Sequence, residues 1–255
     1  MRLCHPLSSS RVSTLSLIAK TINPALLSQK LFISDNVAGK QETSTVHKGT
    51  QFEHRSRALL QSQLSMSLRR VGGRGDGGVD LQGWWWLPDD NQIPEGQARI
   101  LDDSGLLRKR LRILAQCKAE RKKLGPNYVR EMEGVLHRHM FSANKSYEDA
   151  QVVALFISES SFTKAAVLCA LSSHVPFLLV HLPPAKETPP SEEHTQVGSV
   201  VWNAALSGES GILRGQFDLR WERSVLGNGT NGGRPGLWWK GVRLRNWTPV
   251  DDFSE

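Results

Sequence analysis

From residue 50 to about residue 182 the apolar positions switch between a helical and a strand rhythm, and the switches divide the chain into elements. Phe52, Leu59, Leu60 and Leu64 recur at helical spacing, which predicts an amphipathic helix to about residue 65. Thr50-Gln-Phe-Glu53 has the form of a capping box. In that motif the Thr hydroxyl accepts the Glu53 amide and the Glu carboxylate reaches back to the Thr50 amide, so the helix is expected to start at Thr50. Met66 to Val71 reads as a first strand, broken by glycines at 72, 73, 75, 77 and 78. Val79 to Leu87, with three successive tryptophans, is β-prone. The turn formers and acids from Asp89 to Gly105 predict a long hairpin connection.

Leu111 to Lys118 is the next expected strand. Period-two alternation places Leu114, Gln116 and Lys118 on one face, and Ile113, Ala115 and Cys117 on the other. Beyond Leu124-Gly-Pro-Asn127 a helix is expected from Tyr128 to Met140, with Tyr128, Met132, Val135, Leu136 and His139 inward. Val152 to Ser158 and Phe177 to Leu182 are continuous apolar runs suited to buried strands. Between them, Ser161 or Thr163 can cap a helix running to about His174. The order helix, strand, hairpin, strand, helix, strand, helix, strand predicts an α/β domain whose mixed β-sheet is flanked by helices on both faces.

Composition adds the ends of the chain. Residues 1–34 hold Arg2, Arg11, Lys20 and Lys30, many serines and no acid. That is the composition of a mitochondrial targeting peptide, so 1–47 is taken as targeting peptide and linker and 48–182 as the domain. Residues 183–255 are expected to form a Pro-rich linker and an irregular, β-rich extension, which carries five of the eight tryptophans. No run approaches the roughly 20 apolar residues of a transmembrane helix, so no membrane span is expected. Three scattered cysteines argue against a disulfide framework and against a CxxC zinc site.

The formal net charge is +7, with most of the excess between residues 48 and 182. Arg108, Lys109, Arg110, Arg112, Lys118, Arg121, Lys122 and Lys123 crowd together with Glu120 as the only acid among them. Such a cluster is a footprint for a phosphate backbone.

Two motifs compete for the chemistry. Gly73-Arg-Gly75-Asp-Gly-Gly78 fits the spacing of a dinucleotide-binding loop. That loop requires a following helix, whereas here it leads into β-prone residues, so the dinucleotide reading fails. Asp76 is then a turn residue. Asp80 and Lys118 make a better pair, because a carboxylate and a lysine on neighbouring strands can meet at one sheet edge. Phosphodiester hydrolysis needs a divalent cation for the developing charge and an ammonium to position or activate water. Asp80, the Gln116 side-chain amide and the Cys117 backbone carbonyl supply oxygen ligands suited to Mg²⁺ (or Mn²⁺), with Lys118 beside the attacking water.

Gly75-Asp-Gly-Gly-Val-Asp80 and Gln116-Cys-Lys118 resemble the two catalytic motifs of Mrr-type restriction endonucleases, in the D…QxK variant of the PD-(D/E)xK nuclease superfamily. Phe52-Glu53, Val129-Arg-Glu-Met-Glu-Gly134, Phe156-Ile-Ser158, Phe162-Thr163 and Ala165-Ala166 resemble the flanking elements. The resemblance spans residues 49–182 and implies a restriction-endonuclease-like fold. It implies Asp80, Gln116, Lys118 and Glu53 as catalytic residues, with Glu53 open to a cap role, a metal-side role or both. Arg121, Lys122, Lys123 and Arg74 are the expected contacts to nucleic acid, DNA by preference. With the basic leader and the tryptophans after Gly83, the chain is also similar to the fungal mitochondrial "required for respiratory growth" proteins. That similarity implies a matrix protein needed for respiration and leaves two activities open: a metal-dependent nuclease, or an inactive nuclease fold in genome maintenance or protein assembly. Oligomeric state is not legible.

Overall fold

In a computed structural model, the described residues are 44–71, 73, 77–89, 100–141, 151–184, 197–223 and 233–250. The leader and Arg74, Gly75 and Asp76 lie outside them. The first helix, α1 (Thr45–Leu64), begins before Thr50 because Ser44 is a cap of equal chemistry further up the chain, its Oγ accepting the His47 amide at 3.2 Å. This corrects the capping box: Thr50 and Glu53 are interior helical residues, and their side chains turn instead to Arg70. The Arg70 guanidinium pairs with Glu53 and also donates to Thr50 Oγ1 at 3.3 Å.

The strands β1 (Met66–Arg70), β2 (Leu81–Pro88), β3 (Ile100–Leu101) and β4 (Leu107–Lys118) follow. Next come α2 (Pro126–Phe141), β5 (Val152–Ser158), α3 (Lys164–Ser172) and β6 (Phe177–His181), then β7 (Ser199–Trp202) and α4 (Ala204–Ser207). Seven strands form one mixed sheet in the order β1-β2-β4-β5-β6-β7, with β3 paired to β4. The β1–β2–β4 part is antiparallel, β4–β5–β6 is parallel, and β7 closes the far edge antiparallel to β6. The sheet therefore continues past residue 182, into the segment that the sequence pattern sets apart as an extension. Within that segment β8 (Phe217–Arg223), β9 (Gly233–Trp239) and β10 (Val242–Arg243) make a separate three-stranded antiparallel sheet.

Two cores cover the two faces, as the alternation along β4 predicts. Ile113 and Ala115 pack with Phe52, Leu59 and Leu60 of α1 and with Phe217 and Leu237 of the second sheet. Leu114 packs with Met132 and Leu136 of α2, Ala166 and Ala170 of α3, and Phe156. The inner stripe of α2 includes Val129, with Tyr128 only partly buried.

Close backbone approach fixes Gly83 among the tryptophans. A Cβ there would sit 2.1 Å from the Ser67 carbonyl oxygen of β1, so no side chain fits without parting the strands.

The basic run does not form one patch. Arg108 is buried and donates to Asp102 Oδ2 at 2.9 Å from Nε and 2.6 Å from Nη2. Arg110 and Arg112 lie 4.3 and 4.9 Å from the centroid of the Trp84 ring, within cation–π range. Arg121, Lys122 and Lys123 are exposed beyond the end of β4.

Two hubs close the structure. Asn203, buried at the start of α4, accepts the Phe177 and Leu206 amides and donates to the carbonyls of Ala170, Ser173 and Val175. It thereby ties α3, β6 and α4 together. At the C-terminal end of α1, Ser65 has a left-handed φ of 56°. Its amide donates to Asn246 Oδ1 at 2.6 Å, and Asn246 Nδ2 donates to Gln61 O.

Replacing Asn203 by Ala strands several buried backbone groups at once, and urea unfolding is expected to show a loss of about 2–4 kcal/mol. Asp102 sets the acid limb. Burial raises its pKa, but the Ser104 hydroxyl, the Arg108 guanidinium and the Leu106 and Ser104 amides outweigh burial and hold it at about 2. A depressed carboxyl stabilises the fold above about pH 4, and that stability drains away as pH falls toward 2. Urea midpoints measured from pH 5 to pH 2 should therefore fall less steeply for Asp102→Asn than for the unaltered protein.

Candidate functional site

The candidate site forms where β2 begins and β4 ends. Asp80 precedes the first residue of β2, and its N–H donates to Ala115 O at 2.9 Å. Ala115 is also the register partner of Leu81, so two consecutive residues address one residue of β4. Departures of this kind re-aim a side chain at the end of a ladder. The Asp80 carboxylate is oriented by the Cys117 N–H, which donates to Oδ2 at 2.7 Å. The approach to Asp80 is clamped as well. Gly77 and Gly78 have φ of 66° and 89°, and Arg138 of α2 donates to Gly77 O at 3.0 Å. The positive φ of Gly78 favours glycine, and a Cβ there would also press on Val135 at 3.2 Å.

Gln116 is buried, and its Oε1 has no hydrogen-bond donor among the described residues. A buried amide oxygen without a donor is costly, and Gln116 Oε1 is one of several buried polar atoms in this state, others being Arg55 Nε and Trp85 Nε1. It is an oxygen ligand of the kind a hard cation takes. Among the described residues no group of three His, Cys, Asp or Glu side chains converges, so a cation here would lean on amide and carbonyl oxygens beside Asp80. The donor set fits Mg²⁺ or Mn²⁺ in type, as Asp80, Gln116 and the Cys117 carbonyl are all oxygen donors.

Lys118 ends β4 with its Nζ 5.8 Å from the centroid of the Tyr128 ring. The Tyr128 hydroxyl donates to both Glu120 carboxylate oxygens, at 3.1 and 3.0 Å. Hydrogen bonding to Glu120 raises the Tyr128 pKa, keeping the phenol protonated as the donor.

Cys117 looks to the other face, where it packs against the α1 core. Burial pushes its thiol well up, the Asp80 and Glu53 carboxylates push it further, and the Ser56 hydroxyl and Lys118 ammonium offset them only in part. Glu53 thus lies close enough to be felt at the end of β4, but its carboxylate is engaged by Arg70.

Asp80, Gln116, Cys117 and Lys118 therefore meet at one corner of the sheet, and Glu53 reaches it from α1. Arg121, Lys122 and Lys123 continue from the same strand end, and Arg74 falls outside the described residues. The sequence pattern gave no sign of Arg70, Arg138 or the Glu120–Tyr128 pair at this corner. Only Tyr128 had a signal, as an aromatic just inside the α2 start.

The family described as "Required for respiratory growth protein 7" matches residues 44–207, from the α1 cap through α4. A Vanderwaltozyma polyspora protein named "Required for respiratory growth protein 7, mitochondrial" is 27% identical to this chain, covering 59% of it and 68% of the relative. The Saccharomyces cerevisiae protein of the same name is 30% identical over 44% of this chain and 54% of its own length. An uncharacterized mitochondrial protein of Schizosaccharomyces pombe is 34% identical over 37% of this chain, which spans only 31% of that relative. No solved structure matches the chain. No helix among the described residues is long and apolar enough to cross a membrane.

The raised thiol pKa has a direct readout. In the native protein Cys117 is expected to resist iodoacetamide at pH 8 and to alkylate rapidly once the chain is unfolded in guanidinium, with peptide mass spectrometry following the site. Rapid native labelling of Cys117 would contradict the raised thiol pKa.

Proposed function

The chain belongs to the required for respiratory growth protein 7 family, and from that premise we propose that it is a mitochondrial protein with a restriction-endonuclease-like site of the PD-(D/E)xK type. It binds nucleic acid in the matrix and hydrolyses phosphodiester bonds with a divalent cation. Residues 1–47 serve as targeting peptide and linker up to the first turn of α1. The observation that carries the reading is the hydrogen bond that holds Asp80 to the Cys117 N–H between Gln116 and Lys118, together with the buried Gln116 Oε1 that lacks a donor among the described residues. The fold supports it, with an antiparallel β2–β4 pair leading into parallel β5 and β6 and helices on both faces.

Asp80, Gln116 Oε1 and the Cys117 carbonyl would hold Mg²⁺ or Mn²⁺, with Glu53 adding negative charge from α1. When bound, the ion supplies charge neutralisation at the phosphate. The Cys117 amide fixes the Asp80 carboxylate before any ligand arrives, so little reorganisation accompanies binding. Lys118 positions the attacking water at the phosphorus. Its Nζ lies near the Tyr128 ring, which limits the directions the ammonium can take. Arg121, Lys122 and Lys123 neutralise the neighbouring phosphates of a DNA or RNA strand.

A specific observation favours a second reading. Arg70 engages Glu53, and no three acidic or metal-binding side chains converge among the described residues. On that reading the site is a catalytically silent nuclease fold that binds nucleic acid in genome maintenance, or that serves as an assembly factor through its Trp-rich segments.

Purified protein incubated with plasmid, linear and single-stranded DNA and with RNA is expected to cleave in Mg²⁺ or Mn²⁺ and to stop in EDTA. Asp80→Ala and Lys118→Ala should each lower the rate by about a hundredfold or more. Cleavage that survives both substitutions would remove the catalytic claim. Salt-dependent binding without any cleavage would select the second reading.

A further inference from the structure

Beyond Lys118 the chain leaves β4 and turns into α2 around a cleft of about 500 Å³, lined among others by Glu120, Lys122, Lys123, Asn127 and Tyr128. Its volume falls in the range of small-molecule sites. It adjoins the candidate site through Tyr128, which lines it and whose ring centroid lies 5.8 Å from Lys118 Nζ.

Tyr128 is held rigidly for an aromatic at a cleft wall. Its hydroxyl is fixed by Glu120, and its ring meets Phe156 edge-on at 6.0 Å between centroids. Phe156 in turn meets Phe162 at 6.1 Å, so an aromatic ladder backs the ring from inside the core. The cleft's one acid is engaged by the Tyr128 hydroxyl and is outnumbered by Lys122 and Lys123, both exposed. Asn127 adds an amide at the wall, where a base edge can be met by hydrogen bonds. A preset aromatic, an amide and two lysines together match a base, its polar edge and its phosphate.

The geometry points to this cleft as a subsite for one unstacked nucleotide, its base against Tyr128 and its phosphate at Lys122 and Lys123, beside the phosphodiester that Lys118 addresses. The inference rests on the nucleic-acid reading given above and sharpens it. A base inside a duplex is stacked on both sides and cannot enter, so the preferred ligand is single-stranded nucleic acid or a junction with an unpaired nucleotide.

Binding is measured in EDTA on the full chain, so that catalysis does not enter, with fluorescent 12-mer DNA and RNA, single-stranded and duplex. A single 2-aminopurine in the single strands reports stacking. Single strands are expected to bind tighter than duplex of the same sequence and to quench the 2-aminopurine. Tyr128→Leu should weaken single-strand binding about tenfold and abolish the quench while leaving duplex binding unchanged. Tyr128→Phe keeps the ring and should retain both. Lys122→Ala with Lys123→Ala should weaken single-strand binding and flatten its salt dependence. The DNA and RNA arms identify which strand chemistry the cleft prefers.

Equal affinity for single strand and duplex, or a quench that persists in Tyr128→Leu, overturns the subsite while leaving nucleic-acid binding in place. Absence of any binding overturns both. Tyr128-dependent binding without cleavage in Mg²⁺ upholds the subsite and removes only the catalytic step.

Discussion

Strand β4 lies between an antiparallel and a parallel neighbour, and every other feature of the domain answers to its register. Ile113, Ala115 and Cys117 face the α1 core, while Leu114, Gln116 and Lys118 face the α2 side. Because the side-chain period of a strand is two, a slip of one residue would exchange these sets, burying a lysine and a glutamine beneath α1. The large apolar side chains of both cores oppose such a slip, so the same hydrophobic burial that stabilises the sheet also fixes which residues reach the corner beside Asp80. The clamp on Gly77 and Gly78 brings Asp80 to that corner from the opposite side.

Around this corner polar groups are spent unevenly. Asp102 takes two hydrogen bonds from Arg108 in a buried ion pair, whereas the Gln116 side-chain oxygen lies buried with no donor among the described residues. The first arrangement holds the turn between β3 and β4 onto the sheet. The second leaves an acceptor where the fold itself has no use for one.

Much of this was legible in the chain because period and burial coincide. The apolar run Val152 to Ser158 is β5 residue for residue, and the faces of β4 fall as alternation demands. The failures have particular causes. Strand β4 starts four residues before its apolar pattern does, because Arg108 finds Asp102 and the next two arginines find Trp84, contacts that no periodicity encodes. The helix starts before the capping box because two caps compete and Ser44 wins, which leaves Glu53 to an arginine 17 residues away. Aromatic content marked the C-terminal third as ordered, but a short strand such as Ser199–Trp202 carries too little pattern to reveal that it completes the main sheet. Asp80, Gln116 and Lys118 are grouped in the sequence by a spacing that resembles a known arrangement. Tyr128 and Glu120 belong to no such pattern, and only the turn out of β4 brings them alongside.

The hydrogen bonds from Asn246 to the end of α1 have a consequence in time. A polypeptide released N-terminus first presents α1 long before Asn246 and Trp247 exist beside it, and across more than 180 residues of separation that end of the helix stays open. Strand β7 and Asn203 arrive late as well, so the sheet edge and the seam between α3 and β6 wait on the last quarter of the chain. Contacts this remote in sequence make folding slow and strongly cooperative. The contacts that close the end of α1 and the far edge of the sheet therefore form only once the chain beyond residue 198 is available.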